Sequence, residues 1–167
     1  VFIMSFAIVR TDRMHGTYNP ADLVSVRYSP SATDTAIENG NVCLLGSLDS
    51  THREVFVGAT PAADSDIGAI VLIATPELMA DERKKNLNEF RNEAGEIARG
   101  YRLRSGDIFS VTAEALTPIN GTAPAAGQVV ELQANTKLKL VASLTSNSTQ
   151  IGTVLGVEGD FIVILVK

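Results

Sequence analysis

The sequence predicts a mainly β protein of the α+β type: two similar small β-units, barrel- or sandwich-like, with one amphipathic helix inserted between them. Three observations predict it. Short runs of β-prone residues alternate with Gly, Asn, Pro and Ser turns along most of the chain. Two groups of those runs resemble each other across the middle of the sequence. Between them one segment, Ala80–Gly100, carries its apolar residues at helical rather than alternating spacing.

In that segment, ADERKKNLNEFRNEAGEIARG, the residues Leu87, Phe90, Ala94, Ile97 and Ala98 recur three and four apart and form one stripe. Lys84, Lys85, Asn88, Glu89, Asn92 and Glu96 fall opposite. Asp81 can cap the start, or the helix begins at Thr75-Pro76, and Gly100 is the natural stop. Burying Leu87, Phe90 and Ile97 is worth roughly 1.5–3 kcal/mol each, so the helix is expected to pack its stripe on a β-unit of the same chain.

The rest of the chain divides around it. Residues 1–39 form an N-terminal strand and loop region. The apolar run Phe2–Val9 reads as a strand rather than a leader's hydrophobic region, because no basic stretch precedes it. It either completes a β-unit or adds to the edge of another chain. A further short strand is expected within Thr17–Pro30, carried by Leu23, Val24, Val26 and Tyr28 between two prolines. Residues 40–79 hold the first β-unit, with strands at Gly40–Gly46, Arg53–Thr60 and Ile67–Ala74. Residues 101–167 hold the second, with strands at Tyr101–Leu103, Asp107–Thr112, Gly127–Gln133, Thr136–Ser143, Ile151–Val157 and Asp160–Val166.

The resemblance between the units is specific. VGATPAADSDIGAIVLI from Val57 aligns without a gap to VASLTSNSTQIGTVLGV from Val141, an offset of 84 (141 − 57). This matches Ile67 with Ile151, Gly68 with Gly152, Val71 with Leu155 and Ile73 with Val157. Upstream, GNVCLL from Gly40 resembles GQVVEL from Gly127, an offset of 87 (127 − 40).

Composition narrows the function. The net charge of −5 lacks the basic surface that sequence-independent nucleic-acid binding or a polybasic membrane anchor needs. With no Trp and 5% aromatics, base-stacking platforms are poorly supplied. A single cysteine, Cys43, excludes an internal disulfide and a cysteine-rich zinc site, and its apolar surroundings mark it as buried. His15 and His52 belong to no spaced ligand cluster. Asp49 and His52 supply two members of a Ser/His/Asp arrangement, but no nucleophile-elbow pattern accompanies them. Asp64-Ser-Asp66 lacks the bidentate glutamate of a calcium loop. The expectation is therefore a protein with no cofactor, no metal and no catalytic centre.

Several stretches resemble the head-decoration, or auxiliary capsid, proteins of tailed bacteriophages. They are IVRTDRMHGTY (Ile8–Tyr18), ENGNV (Glu38–Val42), REVFVGATPA (Arg53–Ala62) and the long block DERKKNLNEFRNEAGEIARGYRLRSGDIFSVT (Asp81–Thr112). With the closing TKLKLVASLTSNSTQIGTV they cover most of the chain. The resemblance implies a structural virion protein on the outer surface of an assembled capsid. Its partners would be the major capsid protein and further copies of itself, with no nucleic acid and no membrane. It brings no catalytic residues. Within the N-terminal region Arg10, Arg13 and Tyr18 are the expected capsid contacts, since Arg and Tyr are enriched at interfaces. The alternative is a ligand- or sugar-binding β-module of a head fibre or adhesin, which would want exposed aromatics in a groove.

Overall fold

The computed structural model describes residues 5–14, 20–81, 83 and 86–167. Five strands close into a barrel: β1 (Leu23–Tyr28), β2 (Val42–Leu48), β3 (Val55–Ala59), β4 (Ile70–Ile73) and β5 (Ile97–Arg102), in the order β1-β3-β2-β4-β5. β1 is parallel to β3, and the other pairs, including the closing β1–β5 pair, are antiparallel. A second sheet contains β6 (Ile108–Thr112), β7 (Leu116–Thr117), β8 (Val129–Glu131), β9 (Leu138–Val141), β10 (Gln150–Glu158) and β11 (Phe161–Val166), in the order β6-β11-β10-β8-β9-β7.

The two sheets repeat one pairing plan. β1 pairs in parallel with β3 and antiparallel with β5. In the second sheet β7 pairs in parallel with β9, while β6 pairs antiparallel with β11. Only the 3-10 turn Ala113–Ala115 separates β6 from β7. The kinked pair therefore does the work of β1, and the sheet curls until its two edges are held by one segment. The remaining order, β9-β8-β10-β11, reproduces β3-β2-β4-β5. Closure of this kind leaves few unpaired edges.

The register corrects the sequence match. Val42 pairs with Leu72 and Cys43 with Val71, as Val129 pairs with Thr153 and Val130 with Gly152. The offset of 87 between β2 and β8 is thus the structural one. In β4, however, Val71 takes the place of Gly152, three residues from the expected Gly68. Gly68 lies instead in the 3-10 turn Ile67–Ala69, where Asp66 accepts its N–H. A slip by an odd number turns every side chain to the other face. At the observed offset Ile73 matches Val154, which is 1% exposed, whereas Leu155 and Val157, each 47% exposed, fall beyond the equivalent of β4.

The helix expected over Ala80–Gly100 is not found among the described residues of that segment. Among the described residues every helical element is a three-residue 3-10 turn, and here the only one is Leu87–Glu89. Local side chains close turns instead: Glu89 Oε2 accepts from Asn86 N–H, and Glu96 Oε2 from Glu93 N–H. The chain then enters β5, which supplies hydrogen bonds to β1 on one side and β4 on the other. Without β5 both neighbours would present bare edges. Closing the barrel outweighs a stripe whose isolated helix would be marginal in water. Gly100 is an interior strand residue rather than a helix stop, and a Cβ there would lie 3.1 Å from both Val24 and Val71. Of the expected stripe, Phe90 is 9% exposed, but Leu87 is 52% and Ile97 44% exposed.

Two cores result. Val26, Tyr28, Ile37, Cys43, Val71, Ile73 and Ala98 fill the barrel. A larger core joins the outward residues Val42, Ile70, Leu72 and Tyr101 of the barrel to Phe109, Val111, Leu138, Leu140, Ile151 and Ile164 of the second sheet. The N-terminal segment belongs to this second core. Ala7, Val9 and Met14 are buried, Val9 bridges Val111, and Thr112 N–H donates to Ile8 O. The described part of the expected N-terminal strand thus pairs inside its own chain, with the second sheet.

The register makes a direct prediction. A Cβ on Gly152 would sit 2.0 Å from the backbone oxygen of Leu165, while on Gly68 its nearest neighbour is Asp66 Oδ1 at 3.4 Å. Gly152→Ala should cost about 3 kcal/mol or more, and Gly68→Ala should stay within about 0.5 kcal/mol. Urea unfolding of the two variants distinguishes this register from the one in which both glycines are equivalent.

Candidate functional surface

The most concentrated polar chemistry lies where the β2–β3 loop meets β1. Asp49, 7% exposed, accepts from His52 Nδ1 at 2.9 Å, Arg27 Nε at 3.3 Å and Thr51 N and Oγ1. Arg27 also donates to Asp34 at 2.6 Å. The hydrogen bond from His52, with those from Thr51 and Arg27, holds the Asp49 carboxyl down at about 2. Because an ionised carboxylate only accepts, His52 donates from Nδ1 and its Nε2 faces outward. The structure thus brings together two of the residues singled out for nucleophilic chemistry. Among the described residues no hydroxyl is bonded to Nε2, and His52 stands on an exposed hairpin. The cluster's observed work is to clamp the hairpin to the barrel.

The other sequence candidates are dispersed. Cys43 points into the barrel, where burial pushes its thiol up to about 12. Asp66 caps the turn before β4. His15 and Tyr18 lie outside the described residues. Among those described, no group of three or more His, Cys, Asp and Glu is placed to hold a metal ion. Arg10 pairs with Asp12 at 2.8 Å and lies 5.5 Å above the Phe161 ring. Arg13 reaches Glu158 at 3.6 Å, with both side chains largely exposed. Both arginines therefore gather at the tip of the β10–β11 hairpin.

The same hairpin borders a feature the sequence does not announce. A cleft of about 870 Å³ opens at the end of the second sheet, between Phe6 and Ile8 of the N-terminal segment, Leu87, Val157 and Ile162. Asn86 and Asn88 close one side, and Ala123 and Pro124 another. Glu114 and Asp160 are its charged lining residues. The walls come from five separated parts of the chain, so no local motif marks it. Helical spacing places Leu87 on a buried stripe, and Val157 reads only as a strand residue matched to Ile73, so neither marks the cleft in the sequence.

No protein-family profile, curated protein or solved structure matches this chain.

The Asp49 cluster has a readable pH dependence. Its carboxyl lies below the ordinary value of 3.8 in the folded state. It therefore contributes stability that is present above pH 4 and is lost as pH falls toward 2. Asp49→Asn should flatten the acid limb of a stability–pH curve between those values. A carbon-detected NMR titration of Asp49 in the unmodified protein should give a midpoint near the lower end of that window.

Proposed function

We propose that the chain is a structural virion protein that binds the outer surface of an assembled phage capsid and stabilises it, as head-decoration proteins do. The reading is carried by the stretch 81–112, the longest block that resembles those proteins. In the fold that block is not a helix. It runs from the turns beside the cleft through β5, which closes the barrel, into β6, which receives the N-terminal segment. The resemblance therefore falls on residues that close the barrel, receive the N-terminal segment and shape one face of the molecule.

The surface chemistry supports contact rather than turnover. The buried acid Asp49 is fully engaged in clamping a hairpin, and the cleft at the end of the second sheet is lined mainly by apolar side chains. Exposed Leu87 and Val157, with the carboxylates of Glu114 and Asp160 beside them, offer apolar area rimmed by charge, as interface cores and rims do. The partners proposed are the major capsid protein and further copies of the decoration protein. Specific contacts of this kind bury about 1,200–2,000 Å² in total, and binding only the assembled shell stabilises that shell by mass action. Arg10, Arg13 and Tyr18 remain the proposed N-terminal contacts. Of the two described, Arg13 is the freer to exchange its intramolecular partner, its side chain being 60% exposed against 27% for Arg10.

The sugar-binding alternative has less behind it. Tyr28 and Tyr101 are buried, and the aromatic ring in the cleft, Phe6, is covered by Arg91 at 5.2 Å.

Mixing the purified protein with undecorated heads of the tailed phage that carries its gene tests the reading. The protein should pellet with the heads at a fixed stoichiometry and raise the temperature at which they break open. Protein left in the supernatant at saturating concentration would overturn it.

A further inference from the structure

β10 is longer than the strand beside it. On its β8 side it is paired from Gln150 to Thr153, and Val154 then exchanges hydrogen bonds with Gly127 and Gln128 at 2.9 Å each. Past Val154, among the described residues, it is paired only with β11. The two-residue turn Gly159-Asp160 makes Glu158 and Phe161 the hydrogen-bonded closing pair. The next pair, Val157 and Ile162, is then a non-hydrogen-bonded one. The N–H and C=O of Val157 accordingly point away from β11, along an open edge. That edge reads Leu155-Gly156-Val157, without the Lys or Pro that commonly blunts one.

The cleft lies against this edge, since Val157 is one of its walls and is 47% exposed. Its two charged lining residues, Glu114 and Asp160, are both acidic, and neither has an ion pair among the described residues. The whole chain carries −5. Backbone groups without partners, an apolar wall beside them and unpaired carboxylates at the rim together specify an occupant.

We propose that this cleft takes an extended segment of another protein, apolar and carrying Lys or Arg, which adds to the open edge of β10 as a further strand. Its backbone pairs with Val157, alternate apolar side chains enter beside Leu87 and Ile162, and its cations meet Glu114 and Asp160. Strand addition draws affinity from the main chain and specificity from alternate side chains. The proposal concerns the segment's chemistry and stands whether or not the chain supplying it is a capsid subunit.

Fluorescence anisotropy with two short labelled peptides tests it, one alternating Val with Lys and the other alternating Val with Glu. The Val/Lys peptide should bind saturably and at least about tenfold more tightly than the Val/Glu peptide, a difference of about 1.4 kcal/mol. Added salt should narrow the gap. Val157→Pro removes the outward N–H without touching the β11 ladder. It should weaken Val/Lys binding by at least about tenfold at an unchanged melting temperature. The exposed double variant Glu114→Gln with Asp160→Asn keeps the test available if the proline perturbs the fold, and it should erase the preference for lysine. Failure of both peptides to bind, equal binding of the two, or full binding by Val157→Pro would overturn the proposal. So would self-association of the free protein that Val157→Pro abolishes, because the occupant would then be a second copy.

Discussion

The four residues of β4, Ile70-Val71-Leu72-Ile73, are all fully buried, and they point alternately into two different cores. Val71 and Ile73 fill the barrel, while Ile70 and Leu72 face the second sheet. A strand buried on both faces cannot be exposed on either without losing roughly 1.5–3 kcal/mol for each large apolar side chain. The two sheets are therefore bound into one body through β4 and its neighbour β2, where Val42 and Cys43 divide in the same way. Hydrogen bonds reinforce the join at its margins. Val42 N–H donates to Thr136 O at 2.7 Å, Thr149 N–H to Ala63 O at 2.7 Å, and Arg104 Nε to the buried carboxylate of Asp22 at 2.6 Å. The cleft and the N-terminal segment both depend on this join, because Val9 and Ile8 rest on β6 of the sheet it holds.

Much of this was legible in the sequence wherever the signal was local. Alternating apolar runs bounded by Gly, Asn and Pro located β2, β3, β4, β6 and β8–β11 to within a few residues. The match of Gly40 to Gly127 holds in detail, both residues having positive φ at the start of equivalent strands. What the sequence could not reveal is pairing between distant segments. The three- and four-residue spacing of Ile97, Ala98 and the apolar residues before them carries the expected helix to Gly100 and leaves only Tyr101–Leu103 as strand. Whether such a run coils or extends is decided by β1 and β4, which lie far from it in the chain and need a strand between them. The same limit explains the register. Two β-stretches can be aligned at several offsets, and only the pairing with β2 and β8 shows that Val71 matches Gly152, while Leu155 and Val157 are exposed.

The candidate surface divides along the same line. The Asp49–His52 contact was legible, because three residues within one hairpin loop bring the two side chains together. Arg27 completing that cluster from β1 was not. The cleft was invisible because it is an end of the second sheet, assembled from the N-terminal segment, the turns before β5, the Thr112–Glu114 kink and the β10–β11 hairpin. Its acidic rim and open strand edge belong to an arrangement of chain segments rather than to any motif. Arg10 and Arg13, chosen as interface residues by type, turn out to flank the same hairpin.

Because the account rests on one strand serving two cores, the most direct measurement is native-state hydrogen exchange at the amides of β4, compared with those of β11 in the second sheet. If β4 joins the sheets into one cooperative unit, the slowest amides of both strands should share a single opening free energy equal to that of global unfolding. They should also share the same denaturant dependence. A lower opening free energy for β2 and β4, with β10 and β11 still protected, would mean that the barrel unfolds alone, and would contradict the account.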